Sequence, residues 1–172
     1  MDDTAIMEAT QYLTFKLEDE IFALKISQVR EVMDFTTVTK VPRTPEFMRG
    51  VINLRGSVVP VVDLRLKFGM EKTEKSVNTC IIIAEVFLDG EKTVLGALAD
   101  SVQEVIELEP EQIEPAPKIG TGLRTEFIMG MGKRDSHFII ILDIDKIFSA
   151  EELEMVNHIE AGTEPVDGNG KS

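Results

Sequence analysis

The amino-acid sequence predicts an all-β protein built from two similar halves. Short runs rich in Val, Ile and Leu alternate with turn residues, aromatic residues make up only 6% of the chain, and the second half of the sequence repeats the first. Branched aliphatic residues favour strands. Two sets of about five short strands would expose long edges as one flat sheet, so we expect two small barrels that share a hydrophobic core.

Four hairpins are predicted where two β-rich runs flank a turn sequence. Arg55 and Gly56 lie at the tip of the second hairpin, where glycine supplies a positive φ angle. Asp89-Gly90 is a strong turn signal in the third. Pro60 has no backbone N–H to donate, so it predicts an edge strand or a bulge. The predicted strand pairs are 12–17 with 21–26, 50–54 with 58–62, 80–87 with 92–99, and 126–131 with 137–144.

Helical structure is expected at only a few places. The run 44–46, Thr-Pro-Glu, predicts one short helical turn with the threonine as its N-cap. Asp63 and Asp143 each close a strand before a helical turn, and we interpret both as N-caps. The run 149–152, Ser-Ala-Glu-Glu, is a capping box that predicts a C-terminal helix over 149–158.

The internal repeat is visible when the halves are written side by side. Ala23-Leu24 aligns with Ala97-Leu98, and residues 27–32 align with 101–105. Further on, the run from Val58 to Phe68 aligns with the run from Phe138 to Phe148. The offset grows from 74 residues (23 to 97) to 80 residues (63 to 143), so the second copy contains a longer loop.

These patterns predict one domain over residues 11–156. Its first barrel half is expected at about 11–78 and its second at about 79–148. Residues 1–10 and 160–172 lack apolar periodicity and carry polar, charged and turn-forming residues, so both are expected to be flexible tails.

The composition argues against several classes of partner. A net charge of −13 repels nucleic acid and anionic membrane surfaces. No run reaches the length of a membrane-spanning helix, and no basic, apolar leader is present, so we expect a cytoplasmic protein. The single cysteine, Cys80, lies in an apolar run and is interpreted as a small buried hydrophobe rather than a reactive thiol.

Catalytic and cofactor patterns are missing from the sequence. His137 and His158 are the only histidines, no Cys or His cluster has the spacing of a metal site, and neither glycine-rich stretch, 120–122 or 130–133, matches a phosphate loop. We therefore expect no catalytic residue, metal or cofactor. An enzyme acting through two carboxylates stays open as the alternative, although no pattern singles out a pair among the 31 acidic residues.

A short basic stretch stands out in this acidic chain and suits an acidic protein surface. Arg49, Arg65 and Lys67 are interpreted as ordinary solvated charges. Arg55 differs, because it combines a planar, multidentate donor with a glycine turn that projects it outward.

A family resemblance follows from these residues. The run 50–56, Gly-Val-Ile-Asn-Leu-Arg-Gly, followed by Val-Pro-Val-Val-Asp-Leu at 59–64, resembles the signature of the CheW family. Residues 28–32 and the run 143–147 fit as well, and the resemblance spans about 11–156. It implies two intertwined five-stranded barrels of the Src-homology-3 type and a non-catalytic adaptor between chemoreceptors, the methyl-accepting chemotaxis proteins, and the histidine kinase CheA of a two-component pathway.

The resemblance also implies a receptor-binding surface. Carried over by position, it consists of Val29, Glu31, Asn53, Arg55 and Gly56. A receptor tip is a bundle of helices, so the expected contact is a helix in a groove with apolar anchors and a polar rim.

A kinase-binding surface is implied on the second barrel, and it includes Glu114, Lys118 and Ile119. The partner there is expected to be the regulatory domain of CheA. The length of the chain leaves room for one module, so we expect a stand-alone adaptor that is monomeric when free and is recruited from the cytoplasm to membrane-associated receptor arrays.

Overall fold

The computed structural model describes residues 9–116, 125–149 and 152 of the chain. Within these ranges most regular structure is β, as the sequence predicts. One-turn helices follow two of the strands, α1 (Leu64–Lys67) and α2 (Ile144–Ile147). The strands and 3-10 turns are β1 Thr10–Leu17, β2 Glu20–Lys25, a turn at Ile26–Gln28, β3 Val29–Asp34, β4 Met48–Leu54, β5 Ser57–Asp63, β6 Cys80–Leu88, β7 Glu91–Ala99, β8 Ser101–Leu108, a turn at Pro110–Gln112, β9 Ile113–Glu114, a turn at Thr125–Phe127, β10 Ile128–Arg134 and β11 His137–Leu142.

Two sheets form the fold, and each takes strands from both halves of the sequence. Sheet 1 has the strand order β8-β1-β2-β11-β10-β9, and sheet 2 has the order β3-β6-β7-β5-β4. Each central hairpin, β1-β2 or β6-β7, therefore lies among strands from the other half. The expected boundary near residue 78 divides the sequence repeat and does not separate the two sheets. Closure of each sheet into a barrel stays a prediction.

Both sheets contain an equivalent pair of parallel strands, and the residues paired there correct the predicted alignment of the repeat. In sheet 2, Val61 lies opposite Gly96 in a parallel pair. Its counterpart in sheet 1, Ile141, lies opposite Ala23. Ala23 therefore corresponds to Gly96, and its predicted alignment with Ala97 is wrong by one residue. A slip of one residue moves a side chain to the other face of a strand, which is why Ala23 and Ala97 lie in different hydrophobic cores.

The four predicted hairpins are confirmed. Three of them, β4-β5, β6-β7 and β10-β11, turn over two residues that both have positive φ angles. This is the backbone requirement of the type I′ turn, whose twist matches that of the strands. The turn residues are Arg55 (52°) and Gly56 (89°), Asp89 (52°) and Gly90 (80°), and Asp135 (50°) and Ser136 (68°).

A shared hydrophobic core lies between the sheets, as predicted. Strand β6 shows how it forms: Ile82 and Ala84 face the shared core, whereas Ile81 and Ile83 face a smaller core on the other side of sheet 2. Sheet 1 has an equivalent small core of its own. Because alternate residues point to opposite faces, a strand that is apolar throughout can fill two cores at once.

The predicted helical turn at 44–46 is wrong. The chain makes a single turn there, closed by a hydrogen bond from the Met48 N–H to the Pro45 carbonyl oxygen (2.9 Å). The Thr44 hydroxyl donates to the Val41 carbonyl oxygen (2.9 Å) instead of capping a helix. Met48 begins strand β4, so the helix has no room to extend.

Pro60 is not in an edge strand, because β5 lies between β4 and β7. Its lack of an N–H is tolerated at this position. Val51, which lies opposite Pro60, exchanges both of its backbone hydrogen bonds with Thr39, and pairing with β7 begins only at Val61. The register shift of this hairpin lies between Met48 and Gly50, in β4 rather than beside the proline.

The two predicted aspartate caps differ. Asp63 caps α1, since its Oδ1 accepts hydrogen bonds from the N–H groups of Arg65 (3.0 Å) and Leu66 (3.4 Å). Asp143 occupies the equivalent position before α2, but its side chain makes no capping hydrogen bond and lies 3.8 Å from the Lys146 ammonium. Both residues occupy the N-cap position, as predicted, but only Asp63 caps its helix through its side chain.

The predicted capping box at the C-terminal end of the domain is present. Glu152 Oε1 accepts from the Ser149 N–H (2.9 Å), and Ser149 Oγ accepts from the Glu152 N–H (3.0 Å). The remaining positions of the predicted helix, most of the N-terminal tail and the C-terminal tail lie outside the described residues.

Candidate functional site

Arg55 is presented by a tight turn at the tip of β4-β5. Its φ of 52° is uncommon for a residue with a side chain. The neighbouring Asn53 stabilises the turn, because its Oδ1 accepts a hydrogen bond from the Gly56 N–H (2.8 Å). The side chain of Arg55 therefore leaves from a fixed backbone rather than from a mobile loop.

Arg55 and Glu31 form a bidentate ion pair. Their two hydrogen bonds are Nη1 to Oε2 (2.7 Å) and Nη2 to Oε1 (2.9 Å). Glu31 follows a register shift between β3 and β6, and such a bulge redirects side chains. The side chains stay 71% and 32% exposed. The hydrogen bond from Arg55 is the main cause that lowers the pKa of Glu31.

A surface groove of about 620 Å³ lies beside this ion pair. Arg30 and Lys92 line it, and both form ion pairs with Glu85 (3.1 and 3.5 Å). Val58, also on its wall, is 42% exposed. A charged rim around exposed aliphatic surface is typical of a protein-binding surface.

The structure brings four of the five predicted receptor-facing residues together. Glu31 on β3 contacts Arg55, and Asn53 contacts Gly56 in the same hairpin tip. Val29 lies two residues before Glu31 on β3, ahead of the register shift, and its half-buried side chain packs against the shared core.

One of the three predicted kinase-binding residues, Glu114, belongs to sheet 1. Glu114 lies on β9 and forms an ion pair with Lys133 on β10 (2.8 Å). Lys118 and Ile119 lie outside the described residues. Their assignment to a kinase surface stays a prediction.

The interpretation of the other three basic residues as solvated charges is wrong. Arg49 donates to the buried carboxylate of Asp63 (3.2 Å). Arg65 binds Asp100 (3.0 Å), which lies between β7 and β8 in the second half. Lys67 is also largely buried. The local sequence around these three residues does not predict the ion pairs, because each acidic partner is at least 14 residues away in the chain. Arg55 is the one member of the basic stretch at the hairpin tip.

The equivalent tip of sheet 1 presents different side chains. Asp135 and Ser136 take the places of Arg55 and Gly56 in the two-residue turn. A groove of about 190 Å³ lies there, lined by Arg134, by Asp135 and by Glu104, the counterpart of Glu31. Asp135 lies 4.0 Å from the Arg134 guanidinium, so a contact between neighbouring residues takes the place of the bidentate ion pair of sheet 2.

Cys80 is buried, as predicted, and burial raises the pKa of its thiol. In the part of the chain that the structure describes, no group of three or more His, Cys, Asp or Glu side chains is placed to hold a metal ion. Across the same residues, no helix is long and apolar enough to cross a membrane.

A duplicated two-sheet β fold that presents a charged hairpin tip beside an exposed groove defines a protein-interaction module. The family model of the CheW-like domain matches residues 11–152. The chain belongs to the CheW family.

Individual relatives agree with this assignment. The chemotaxis protein CheW of Klebsiella aerogenes is 36% identical over 149 residues, which cover 87% of each protein. The probable chemotaxis protein CheW of Rhizobium etli is 33% identical over 144 residues, covering 84% of this chain and 90% of the relative. Among solved structures, the scaffolding protein TtCheW from Thermoanaerobacter tengcongensis has a TM-score of 0.74 and 39% identity, with 86% of this chain and 92% of that chain covered.

Proposed function

We propose that the chain is a non-catalytic adaptor that couples chemoreceptors to the histidine kinase CheA in a bacterial chemotaxis array. The observation that carries this proposal is the exposed, bidentate ion pair of Arg55 and Glu31 on a rigid turn beside a groove. Support also comes from the relatives, which are described as chemotaxis proteins, and from the similar solved structure, which is described as a scaffolding protein.

The receptor surface in this proposal consists of Val29, Glu31, Asn53, Arg55 and Gly56. The tip helices of a methyl-accepting chemotaxis protein lie against it as helices in a groove. Arg55 is the strongest candidate for the central contact, because most of its side chain is open to solvent while Glu31 holds it in one orientation.

The kinase surface in this proposal includes Glu114, which lies on sheet 1, together with Lys118 and Ile119. The regulatory domain of CheA binds this surface, and the receptor binds the hairpin tip of sheet 2. In this proposal both sheets close into barrels, and the free adaptor is a cytoplasmic monomer that the receptor array recruits.

Co-sedimentation tests the proposal directly. Receptor cytoplasmic fragments and CheA are pelleted with the wild-type protein, with Arg55→Glu, with a matched control, or with no adaptor, and kinase activity in the pellet is measured. Lys146→Glu is the control, because it makes the same change of charge at an exposed position on α2, away from the tip.

The expected result is that the wild type and Lys146→Glu recruit and activate the kinase, whereas Arg55→Glu stays folded and recruits it at least about tenfold less. Equal pellet activity for the wild type and for the sample without adaptor would overturn the coupling function. Equal activity for the wild type and Arg55→Glu would keep the coupling function and remove Arg55 from the receptor surface.

A further inference from the structure

Strand β3, which carries Glu31, has an irregular beginning. It is an edge strand of sheet 2 and pairs with β6. The ladder starts where Val29 lies opposite Ala84, and a register shift follows before Glu31, which lies opposite Ile83. A bulge at this place interrupts the backbone hydrogen bonds that would otherwise fix the first residues of the strand. The placement of Glu31 therefore requires a further contact at the start of β3.

Strand β6 offers such a contact past Ala84, where it is no longer paired with β3. Backbone groups there still need hydrogen-bond partners, and two side chains provide them. Gln28 Nε2 donates to the Glu85 carbonyl oxygen (3.2 Å). Asp145 Oδ1 accepts from the Phe87 N–H (2.9 Å). The side chains of Gln28 and Asp145 thus take the place of a strand at this edge of β6.

Gln28 and Asp145 also bind each other. Gln28 Nε2 donates to Asp145 Oδ1 (3.0 Å), the same oxygen that accepts from the Phe87 N–H. Gln28 is the last residue of the 3-10 turn before β3, and that turn has no side-chain cap. Hydrogen bonds to a carboxylate are stronger than those between neutral groups. The three hydrogen bonds therefore join the residue before β3 to the backbone of β6.

Asp145 is well placed to hold Gln28, because its own helix is anchored. It lies on α2, whose Ile144 and Ile147 side chains are buried in the shared core. Helix α2 follows β11, which is a strand of sheet 1. The carboxylate of Asp145 therefore reaches the edge of sheet 2 from the other sheet.

The first half of the sequence contains an equivalent arrangement. Arg65 on α1, which follows β5 of sheet 2, binds Asp100, the residue before β8. Asp100 Oδ2 also accepts from the Glu18 N–H at the tip of the β1-β2 hairpin (2.6 Å). Strand β8 is an edge strand of sheet 1, as β3 is of sheet 2. Each helix thus holds the residue that precedes the edge strand of the opposite sheet.

We propose that Asp145 is a positioning residue for the receptor surface. It holds Gln28, Gln28 sets the start of β3 against β6, and Glu31 is thereby placed where its carboxylate meets Arg55. Asp145 acts through Gln28 and does not line the groove beside the ion pair. This role rests on the proposed receptor function, but the placement of Glu31 can be measured without a receptor. Supporting residues of this kind keep a binding group in its productive geometry.

A carboxyl NMR titration of Glu31 in the full chain, without receptor, is the first test. Asp145→Ala removes the acceptor, whereas Asp145→Asn keeps an oxygen at the same place. Asp143→Ala is the control, since it removes the same charge two residues earlier, from a side chain whose contact is with Lys146 at 3.8 Å. We expect Asp145→Ala to raise the pKa of Glu31 toward its ordinary value, because the contact with Arg55 is loosened, and the other two variants to leave it lowered.

The direction of this change separates positioning from simple electrostatics. Loss of the negative charge of Asp145 would by itself lower the pKa of Glu31. A rise in that pKa therefore reports a displaced ion pair. Gln28→Ala should raise the pKa of Glu31 in the same way, and it carries the test if Asp145→Ala does not fold.

The affinity for a receptor cytoplasmic fragment, measured by calorimetry, is the second test. We expect Asp145→Ala and Gln28→Ala each to weaken binding about fivefold. The double variant should bind no more weakly than the weaker single variant, because both changes remove one interaction. Asp145→Asn and Asp143→Ala should bind as the wild type does.

The two measurements give distinct failures. An unchanged pKa of Glu31 in Asp145→Ala, or the same rise in Asp143→Ala, would overturn the positioning role. A raised pKa with wild-type affinity would also overturn it, since the placement of Glu31 would then not matter for the receptor. If the wild type itself does not bind the receptor fragment, the receptor function is overturned instead, and the titration without receptor still shows whether Asp145 places Glu31.

Discussion

The hairpin tips of β4-β5 and β10-β11 share one backbone conformation and carry different side chains. Both turn over two residues with positive φ angles. The tip of sheet 2 presents Arg55, paired with Glu31, whereas the tip of sheet 1 presents Asp135 beside Arg134 in a groove with Glu104. The repeat therefore preserves the scaffold while giving each end a different surface, which suits the two unlike partners of the proposed function.

The helices after these hairpins show the same contrast. Arg65 on α1 reaches Asp100 at the junction of β7 and β8. Its counterpart on α2, Asp145, accepts from Gln28 (3.0 Å), next to β3. Each contact joins one half of the sequence to the other, but α1 contributes an arginine that binds a carboxylate, whereas α2 contributes a carboxylate that binds a glutamine amide. The polar contacts at equivalent positions therefore differ between the two halves, whereas the pattern of apolar residues is the same.

The largest difference between the halves is expected at the aspartates before α1 and α2. Asp63 is fully buried and accepts from Arg49, from Thr73 and from the first turn of α1. Asp63→Ala leaves a partly buried arginine unpaired and should lower the free energy of unfolding by about 3 kcal/mol. Asp143→Ala should lower it by less than about 1 kcal/mol, because that side chain makes one weak surface contact. Urea denaturation of both variants checks this, and equal losses would show that the two positions are equivalent after all.

A smaller effect is expected at Gly96 and Ala23, which occupy equivalent positions in the corrected alignment of the repeat. A Cβ added at Gly96 would lie 2.7 Å from Ile81 Cγ2, in the fully buried core of sheet 2. Gly96→Ala should therefore cost about 2 kcal/mol of stability, whereas Ala23→Gly, which removes a methyl group, should cost about 1 kcal/mol. Thermal unfolding measures both, and a stabilised Gly96→Ala variant would contradict the close approach.

Side-chain period and turn chemistry made most of the fold predictable. The hairpins and the Asp63 cap follow from local patterns, because each depends on residues close in sequence. The register of the repeat did not follow, since Ala23 and Ala97 are equally good residues for a strand and only the parallel pairing separates them.

The candidate site was predictable in part for the same reason. The sequence at Arg55 and Gly56 predicts a turn, and Asn53 stabilises that turn through a hydrogen bond to the Gly56 N–H. The burial of Arg49 and Lys67 was not predictable, because their partners come from a distant loop and from the C-terminal segment. A charged residue near a hairpin tip gives no local signal of such a partner.

The smallest effect concerns the titration of Glu31. Its pKa is lowered, mainly by the hydrogen bond from Arg55 and less by the charge of Arg30. The pair therefore favours the folded state above the unfolded pKa of a glutamate, and this contribution is lost as the pH falls through the lower folded value. In carboxyl NMR titrations, Arg55→Met should raise the pKa of Glu31 toward its ordinary value, and Arg30→Met should raise it less. The reverse order would show that the bidentate contact does not persist in solution.

The central claim is that the tip of sheet 2, and not the tip of sheet 1, receives the receptor. Titration of the isotope-labelled protein with a receptor cytoplasmic fragment, followed by NMR of the backbone amides, tests it most directly. The account predicts that the signals of Glu31, Asn53 and Gly56 shift or broaden, while those of Asp135 and Ser136 stay in place. Changes confined to Asp135 and Ser136 would contradict it and would assign the receptor to the tip of sheet 1.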